Sequence, residues 1–510
     1  MMSHWIIVPV VLPAMMAPFI VLVIRHDLLL QRAFSAAATL ALLAVSIALT
    51  VAAAGNPPEL YALGNWPAPF GIVLVLDRLA ALMVLLTSIL AAVVLLYAIT
   101  SGWDRLGRHF HALFQFQLMG LNGAFLTGDV FNLFVFFEIL LIASYGLMLH
   151  GGGVQRLKTG VQYVVINLGG SALFLVAVGT LYAVTGTLNM ADLAVKVPLV
   201  PAGDQALLRV GALLLLLVFA VKAALVPVHF WLPGTYSNAP APVAALFAVI
   251  TKVGAYCIIR IFTLAFGDQA GASAWIFSDW LLPAALVTLV VGAIGTLGAK
   301  GMTRLVSFSV VASMGTLMTA VALSTPAATT AALFYLIHST FAGAALFLIC
   351  DQIAARRGAS GDRLVVAPRI AETGLLAGLF FLAAIGMAGM PPLTGFLGKL
   401  MVLDSARESA SMVVVWTVIL ATSLVIIAGF ARAGSLVFWK SAAVPAGPAA
   451  AAPARPALPL AAAGAMVGGM IALAIFAGPV SGYLEATAAG LYDPTDYLQA
   501  VLGPQGMASR

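Results

Sequence analysis

Apolar runs of about 18 or more residues, each long enough to cross a hydrocarbon core of about 30 Å as a helix, recur along almost the whole chain. Short stretches holding most of the charged residues separate them. A window of about 19 residues places fourteen helices. The first seven lie near 4–24, 33–54, 71–100, 109–127, 130–149, 159–185 and 207–235, and the second seven near 240–265, 274–298, 302–323, 329–351, 370–405, 411–438 and 458–482. Two of these are too long for a simple crossing and contain prolines: Pro227 and Pro233 in the seventh, Pro391 and Pro392 in the twelfth. Proline lacks the N–H that the helical ladder needs, and its ring clashes with the preceding turn. Both helices are therefore expected to be broken.

Composition turns the runs into a fold class. Of 510 residues, 63% are hydrophobic and 8% charged, with a mean hydropathy of +1.10. A soluble protein carries about 25% charged residues, so this chain cannot clothe a water-facing surface, and the reading is an all-α polytopic membrane protein. Dividing the length into soluble domains of about 150 residues has no meaning here. The net charge of +6 comes from single basic residues at the ends of apolar runs, which fits topology and not a nucleic-acid partner. With fourteen spans, fifteen Lys and Arg fall on one face and six on the other, while Lys222, Lys252 and Lys399 stay inside spans. The positive-inside rule then puts both termini on the non-cytoplasmic side of a bacterial-type inner (plasma) membrane. Met1 to Ile24 lacks the basic start and cleavage site of a secretory signal, and reads as a retained first span. The stretch SAAVPAGPAAAAPARPALP, residues 441–459, reads as a semi-rigid connector.

Two cysteines, Cys257 and Cys350, lie inside apolar runs and are too few for a disulfide framework or a thiolate metal site. No metal or cofactor is expected. Neither GxxxxGK[ST] nor a GxGxxG after a strand is present, so nucleotide-driven transport and direct NADH oxidation are not expected of this chain.

Five ionisable residues sit inside apolar runs: Glu138, Lys222, Lys252, His338 and Lys399. Each costs roughly 2.5 to 3.5 kcal/mol on insertion scales, so each needs a reason. Each also has a structural reading. Glu138 could be a neutral, hydrogen-bonded core acid, and Lys222 and Lys399, close to the breaks, could satisfy freed carbonyls. His338 could be a hydrogen-bonded structural group, and His229, between the prolines of the first break, could pack the kink or act as an accessory group. Lys252, about twelve residues into its span, is poorly placed to snorkel to water. Together, one acid and several bases near two broken helices make a line of proton-exchanging sites, because moving a carboxylate toward or away from a lysine moves the proton.

The stretches VKAALVPVHFWLPGTYSNAPAPVAALFAVITKVGAYCIIRIF, FFEILLIASYGL and GMPPLTGFLGKL resemble the antiporter-like membrane subunits of respiratory complex I and of the Mrp (Pha, Mnh) multisubunit monovalent cation/proton antiporters. Among the latter the chain is most similar to the D subunit. The resemblance runs from about the third helix to the thirteenth. It implies two inverted five-helix repeats, each with one broken helix, at about 109–265 and 274–438, after an N-terminal three-helix segment (1–108) and before a connector, last transmembrane helix and tail (441–510). It further implies that Glu138 pairs with Lys222, that Lys252 bridges the halves, that His338 is the histidine of the eleventh helix, and that Lys399 is the terminal base. Two positions depart from the family pattern: Gly234 stands where relatives commonly have an Asp after Trp-Leu-Pro, and Gly343 where many have a lysine.

The expected function is proton translocation within a hetero-oligomeric antiporter, moving Na+ or K+ outward at the expense of the proton motive force. The chain would then be a secondary transporter subunit and not an enzyme. The alternatives are a redox-driven proton-pumping arm of complex I or a membrane-bound hydrogenase, and a purely structural scaffold. Partners are sibling subunits, protons, an alkali cation and lipid, with no nucleic acid or nucleotide.

Overall fold

The computed structural model describes residues 3–444 and 457–507. Most of the expected connector, residues 445–456, lies outside the described residues. In chain order come α1 (Val8–Leu22), α2 (Leu28–Gly55), β1 (Glu59–Ala62), β2 (Val73–Leu76), α3 (Arg78–Ser101), α4 (Phe110–Leu126), α5 (Val130–Met148) and α6 (Val154–Thr185). Next are the short α7 (Met190–Lys196), α8 (Gln205–Lys222), α9 (Trp231–Asn238), α10 (Ala241–Leu264), α11 (Ser278–Gly298), α12 (Met302–Ala322) and α13 (Pro326–Ala354). The chain continues with α14 (Thr373–Ala388), α15 (Thr394–Ser405), α16 (Met412–Gly434), α17 (Ala457–Ile475), α18 (Ala477–Tyr492) and α19 (Thr495–Met507). Among the described residues, eleven helices are long and apolar enough to cross a membrane, and α1 and α14 are shorter apolar ones.

The helix α4 completes the fourteen expected segments, although it carries polar residues. These residues serve its neighbours: Gln115 donates to Ser35 Oγ and Thr39 Oγ1 on α2, both at 3.1 Å. Asn122 donates to the Pro9 carbonyl at 3.1 Å, an oxygen left without its ladder donor because Pro13 has no N–H. In hydrocarbon every such group must find a partner inside the protein.

Three expected helices differ from the structure. The run at 71–100 opens as a strand, because β1 and β2 form an antiparallel hairpin around Pro67, Pro69 and Gly71. Helix α3 starts only after Asp77, whose carboxylate caps it by accepting from Ala80 N at 2.8 Å. The segment 207–235 breaks between Lys222 and Trp231. Pro227 falls in that break, but Pro233 does not: it occupies the first turn of α9, where its missing N–H costs nothing. The segment 370–405 breaks at Gly389, Pro391 and Pro392 as expected. The last span ends at Ile475 and not near 482. Pro479 has no N–H to continue the α17 ladder and sits in the first turn of α18 instead.

An internal repeat is visible in the packing. Gly120 of α4 lets the Leu140 backbone of α5 approach, and Gly123 accommodates the Phe136 ring; a Cβ at either glycine would collide with it. At the same spacing in the second half, Gly292 of α11 meets Ala312 of α12 and Gly295 meets the Phe308 ring. An isolated bridge pairs Asp129 with Asn189 in one half and Gly301 with Arg363 in the other. The α4 and α11 helices are five spans apart in order, so equivalent helices run in opposite senses.

Packing grades from the middle outward. The apolar windows of α10 and α13 are 100% buried, whereas those of α2, α6 and α11 are 39% buried. The former are core and the latter face lipid, so the interior that holds Lys252 and His338 is the best-shielded part of the molecule. At one end, Asp77 accepts from both Arg260 amines at 2.6 and 2.7 Å. The same guanidinium lies over the Tyr256 and Tyr497 rings, at 5.6 and 5.3 Å, so the cluster ties α3, α10 and α19 together. Asp77→Ala is expected to cost about 3 kcal/mol, as breaking a buried pair does, and to lower the aggregation temperature in detergent. An unchanged temperature would remove this pair from the account of how that end is held. At the opposite end Asp104 accepts from Arg32 at 2.6 and 2.7 Å and meets His111 at 3.3 Å. Burial works to raise the Asp104 pKa, but the bonds from His111 and Arg32 outweigh it and hold the carboxyl below its usual value. Its stabilising contribution is present above the unfolded carboxylate value of about 3.9 and fades only as pH falls through the lower folded value.

Candidate functional site

Glu138 lies midway along α5, half-buried, and accepts a short hydrogen bond from Ser171 Oγ of α6. Lys222 is the last residue of α8, 2% exposed. Its ammonium donates to Asn167 Oδ1 of α6 at 2.6 Å and stands 5.6 Å from the centre of the Phe137 ring. The expected Glu138–Lys222 ion pair is not made: no nitrogen–oxygen contact within 4.0 Å joins them. The reason is local. Asn167 and Ser171 are four residues apart on one face of α6, and each supplies a hydrogen bond to one member of the pair. Both are neutral, and neither stands out in the sequence as a site residue.

The break after Lys222 is held by polar groups from outside it. Trp231 Nε1 donates to the Val221 carbonyl at 3.0 Å, and Val226 N donates to Thr288 Oγ1 of α11 at 2.8 Å. Gly254 of α10 allows the α8 end to approach, since a Cβ there would lie 2.7 Å from the Phe219 oxygen. His229 sits half-buried in this break with Nδ1 unpartnered, and nothing brings it to Lys222 or Glu138. An aromatic wall of Tyr163 and Trp231, stacked at 5.3 Å, closes the site toward α9.

Lys252 is 0% exposed at the centre of α10, and its hydrogen-bonding contact is the Met314 sulfur of α12 at 3.4 Å. A thioether is a weak acceptor. Among the described residues no carboxylate approaches, so this amine is the least compensated ionisable group of the set.

His338, also 0% exposed, hydrogen-bonds through Nδ1 to Thr394 Oγ1 at 2.7 Å. Thr394 opens α15 just after the second break. The other side of the ring lies against the contact of α14 with α15, where Nε2 has no well-formed hydrogen bond. The charges of Lys399 and Lys252 both reach the ring. Lys399 itself donates to the Ala388 carbonyl and to Ser423 Oγ of α16, both at 2.8 Å. Ala388 is the end of α14, so Lys399 does what the structural reading expected of it: it satisfies a carbonyl freed at a helix break.

The repeat also explains a departure. In the register set by the paired glycines, Val310 stands at the place of Glu138 and Gly343 at the place of Ser171. A Cβ on Gly343 would lie 3.4 Å from Val310 Cγ2. The second half therefore fills with apolar contact the position at which the first half holds its acid. Gly234 likewise lies in α9 with open space around it, a Cβ there meeting nothing nearer than 3.8 Å.

Comparison with known proteins agrees with this architecture. Residues 127–425 match the family model described as NADH:quinone oxidoreductase/Mrp antiporter, TM. The chain belongs to this family. It is 40% identical to the D subunit of a probable K(+)/H(+) antiporter of Rhizobium meliloti, over 98% of both chains. It is 38% identical to the D subunit of the Na(+)/H(+) antiporter of Bacillus subtilis, over 83% of this chain and 85% of that one. Among solved structures, a chain of the Mrp complex from Dietzia superposes with a TM-score of 0.87 at 28% identity, covering 98% of this chain and 100% of that one.

Proposed function

We propose that this chain is the proton-translocating D-type subunit of a multisubunit monovalent cation/proton antiporter, a transporter subunit and not an enzyme. Protons would pass along Glu138, Lys222, Lys252, His338 and Lys399 while the assembled complex moves Na+ or K+ in the opposite direction. The observation that carries the reading is Lys252: an amine at the centre of the best-buried helix, facing a sulfur and no carboxylate. Nothing in the packing needs it, so its cost of roughly 2.5 to 3.5 kcal/mol has no structural return. Near-full-length relatives named as D subunits of antiporters favour this reading over a redox-driven arm.

We place both termini on the non-cytoplasmic side. Supporting this, the loops expected to be cytoplasmic meet at one end of the molecule: Arg32 with Asp104, Arg156 with the Asn238 carbonyl, and Thr303 with the Ser237 carbonyl.

Glu138→Gln is expected to reduce cation-driven proton movement in everted vesicles by about tenfold or more, with the amount of assembled complex unchanged. The Ser171 hydroxyl still finds an acceptor in the amide, so packing is preserved. Normal antiport in this variant would remove Glu138 from the line.

A further inference from the structure

The gap between Glu138 and Lys222 is not empty packing, because each group has a partner of its own on α6. Asn167 is 1% exposed, and its Nδ2 donates to the Tyr163 carbonyl at 2.7 Å. That bond fixes the amide orientation, so Oδ1 and not the NH2 group faces Lys222. The acceptor is therefore built for an amine. One turn further on, Ser171 holds the carboxylate. The two partners are offset by about 6 Å along the helix axis, a distance that a flexible four-carbon lysine stem spans by changing rotamer. The lysine is also the terminal residue of α8, and the chain beyond it leaves the helix at once, with Ala224 at φ +53°.

We propose that Asn167 is a latch for Lys222, so that the amine alternates between the Asn167 amide oxygen and the Glu138 carboxylate, with Ser171 holding the carboxylate while the amine is away. The proposal rests on reading Glu138 and Lys222 as a proton-exchanging pair, and names what lets that pair open. A protonated amine is drawn to the carboxylate, since an opposite charge favours the charged form. At Asn167 it faces a neutral acceptor, and its proton is released more readily to water on the way to the Lys252 amine. Asn167 itself gains and loses no proton, so it is a positioning residue. Among the described residues, the titratable group whose charge reaches the amine is Glu138 of α5; the other groups against it are the neutral Asn167 amide of α6 and the Phe137 ring of α5.

The test is the pH profile of antiport in everted vesicles carrying the whole complex, normalised to assembled protein. Asn167→Leu removes the latch and leaves Lys222 with the carboxylate. It should lower turnover about tenfold and move the optimum about one pH unit toward alkali. Asn167→Asp keeps the shape, adds a second negative charge, and should move the optimum further the same way, while Asn167→Gln, which retains an amide oxygen, should recover part of the activity. Ser171→Ala should give a smaller alkaline shift. If Asn167→Leu does not assemble, the isosteric Asp variant decides. Unchanged turnover and optimum with Asp at this position would overturn the latch, as would Leu and Asp both lowering the amount of complex with no change in profile. Glu138→Gln and Lys222→Met run in parallel. Should those two retain antiport, the underlying pair is wrong; should they lose it while the Asn167 variants behave as wild type, only the latch is.

Discussion

Lys252→Met is expected to reduce antiport in everted vesicles by about a hundredfold or more, the scale on which a positioned acid–base group contributes, while the complex assembles normally and is no less stable. The two readings of Lys252 predict opposite outcomes. If the lysine braced the fold, its loss would leave a hole or an orphaned partner. Among the described residues, the only atom within hydrogen-bonding reach of its amine is the Met314 sulfur, which makes apolar contacts equally well. Replacing a buried charge by an apolar side chain of similar volume is often neutral or stabilising, by about 1–4 kcal/mol. Met fills the same elongated space, so a thermal unfolding scan should show an equal or higher midpoint together with lost transport. Retained antiport would remove the central member of the line.

The second large effect is expected at the other break. Gly395→Ala should abolish antiport and lower stability by about 1–3 kcal/mol, the range for inserting a carbon into a well-packed contact. A Cβ at Gly395 would land on the Gly386 carbonyl oxygen and lie 2.8 Å from His338 Nε2. The obstructing atoms are helix backbone and a buried ring, and neither has free space into which to move. Helix α15 must then shift away from α14, carrying Thr394 and Lys399 with it. Because Thr394 Oγ1 is the hydrogen-bond partner of His338 Nδ1, that shift acts on the histidine directly. Thr394→Val separates the two causes: it removes the hydroxyl without forcing the helices apart. A Gly395→Ala variant with normal stability and normal transport would show that the close approach of α14 and α15 has no role.

The parts legible in the sequence were those that violate the solvent. An acid or amine inside an apolar run stands out because hydrocarbon penalises it, which is why Glu138, Lys222, Lys252, His338 and Lys399 could be named in advance. Helix breaks were legible for the same kind of reason at Pro227, Pro391 and Pro392. Pro233 misled because proline in a first turn interrupts nothing. The hairpin was hidden because GIVLVL reads equally as strand or helix when both faces are buried; Asp77, a good helix cap, was the available signal that α3 starts late. Asn167, Ser171 and Thr394 escaped because neutral polar residues cost little and occur throughout these helices. A signal did exist for two of them: Tyr163, Asn167 and Ser171 recur at four-residue spacing, on one face of a helix that is largely lipid-facing. Met314 carried no signal at all, since a buried methionine looks like any other core residue.

The most direct test of the central claim, that the buried amines exchange protons through water, is a high-resolution map of the assembled complex in a lipid nanodisc. Ordered water density is expected to connect Lys222 through Lys252 to His338 and on to Lys399. Close apolar packing with no density around the Lys252 amine would contradict it.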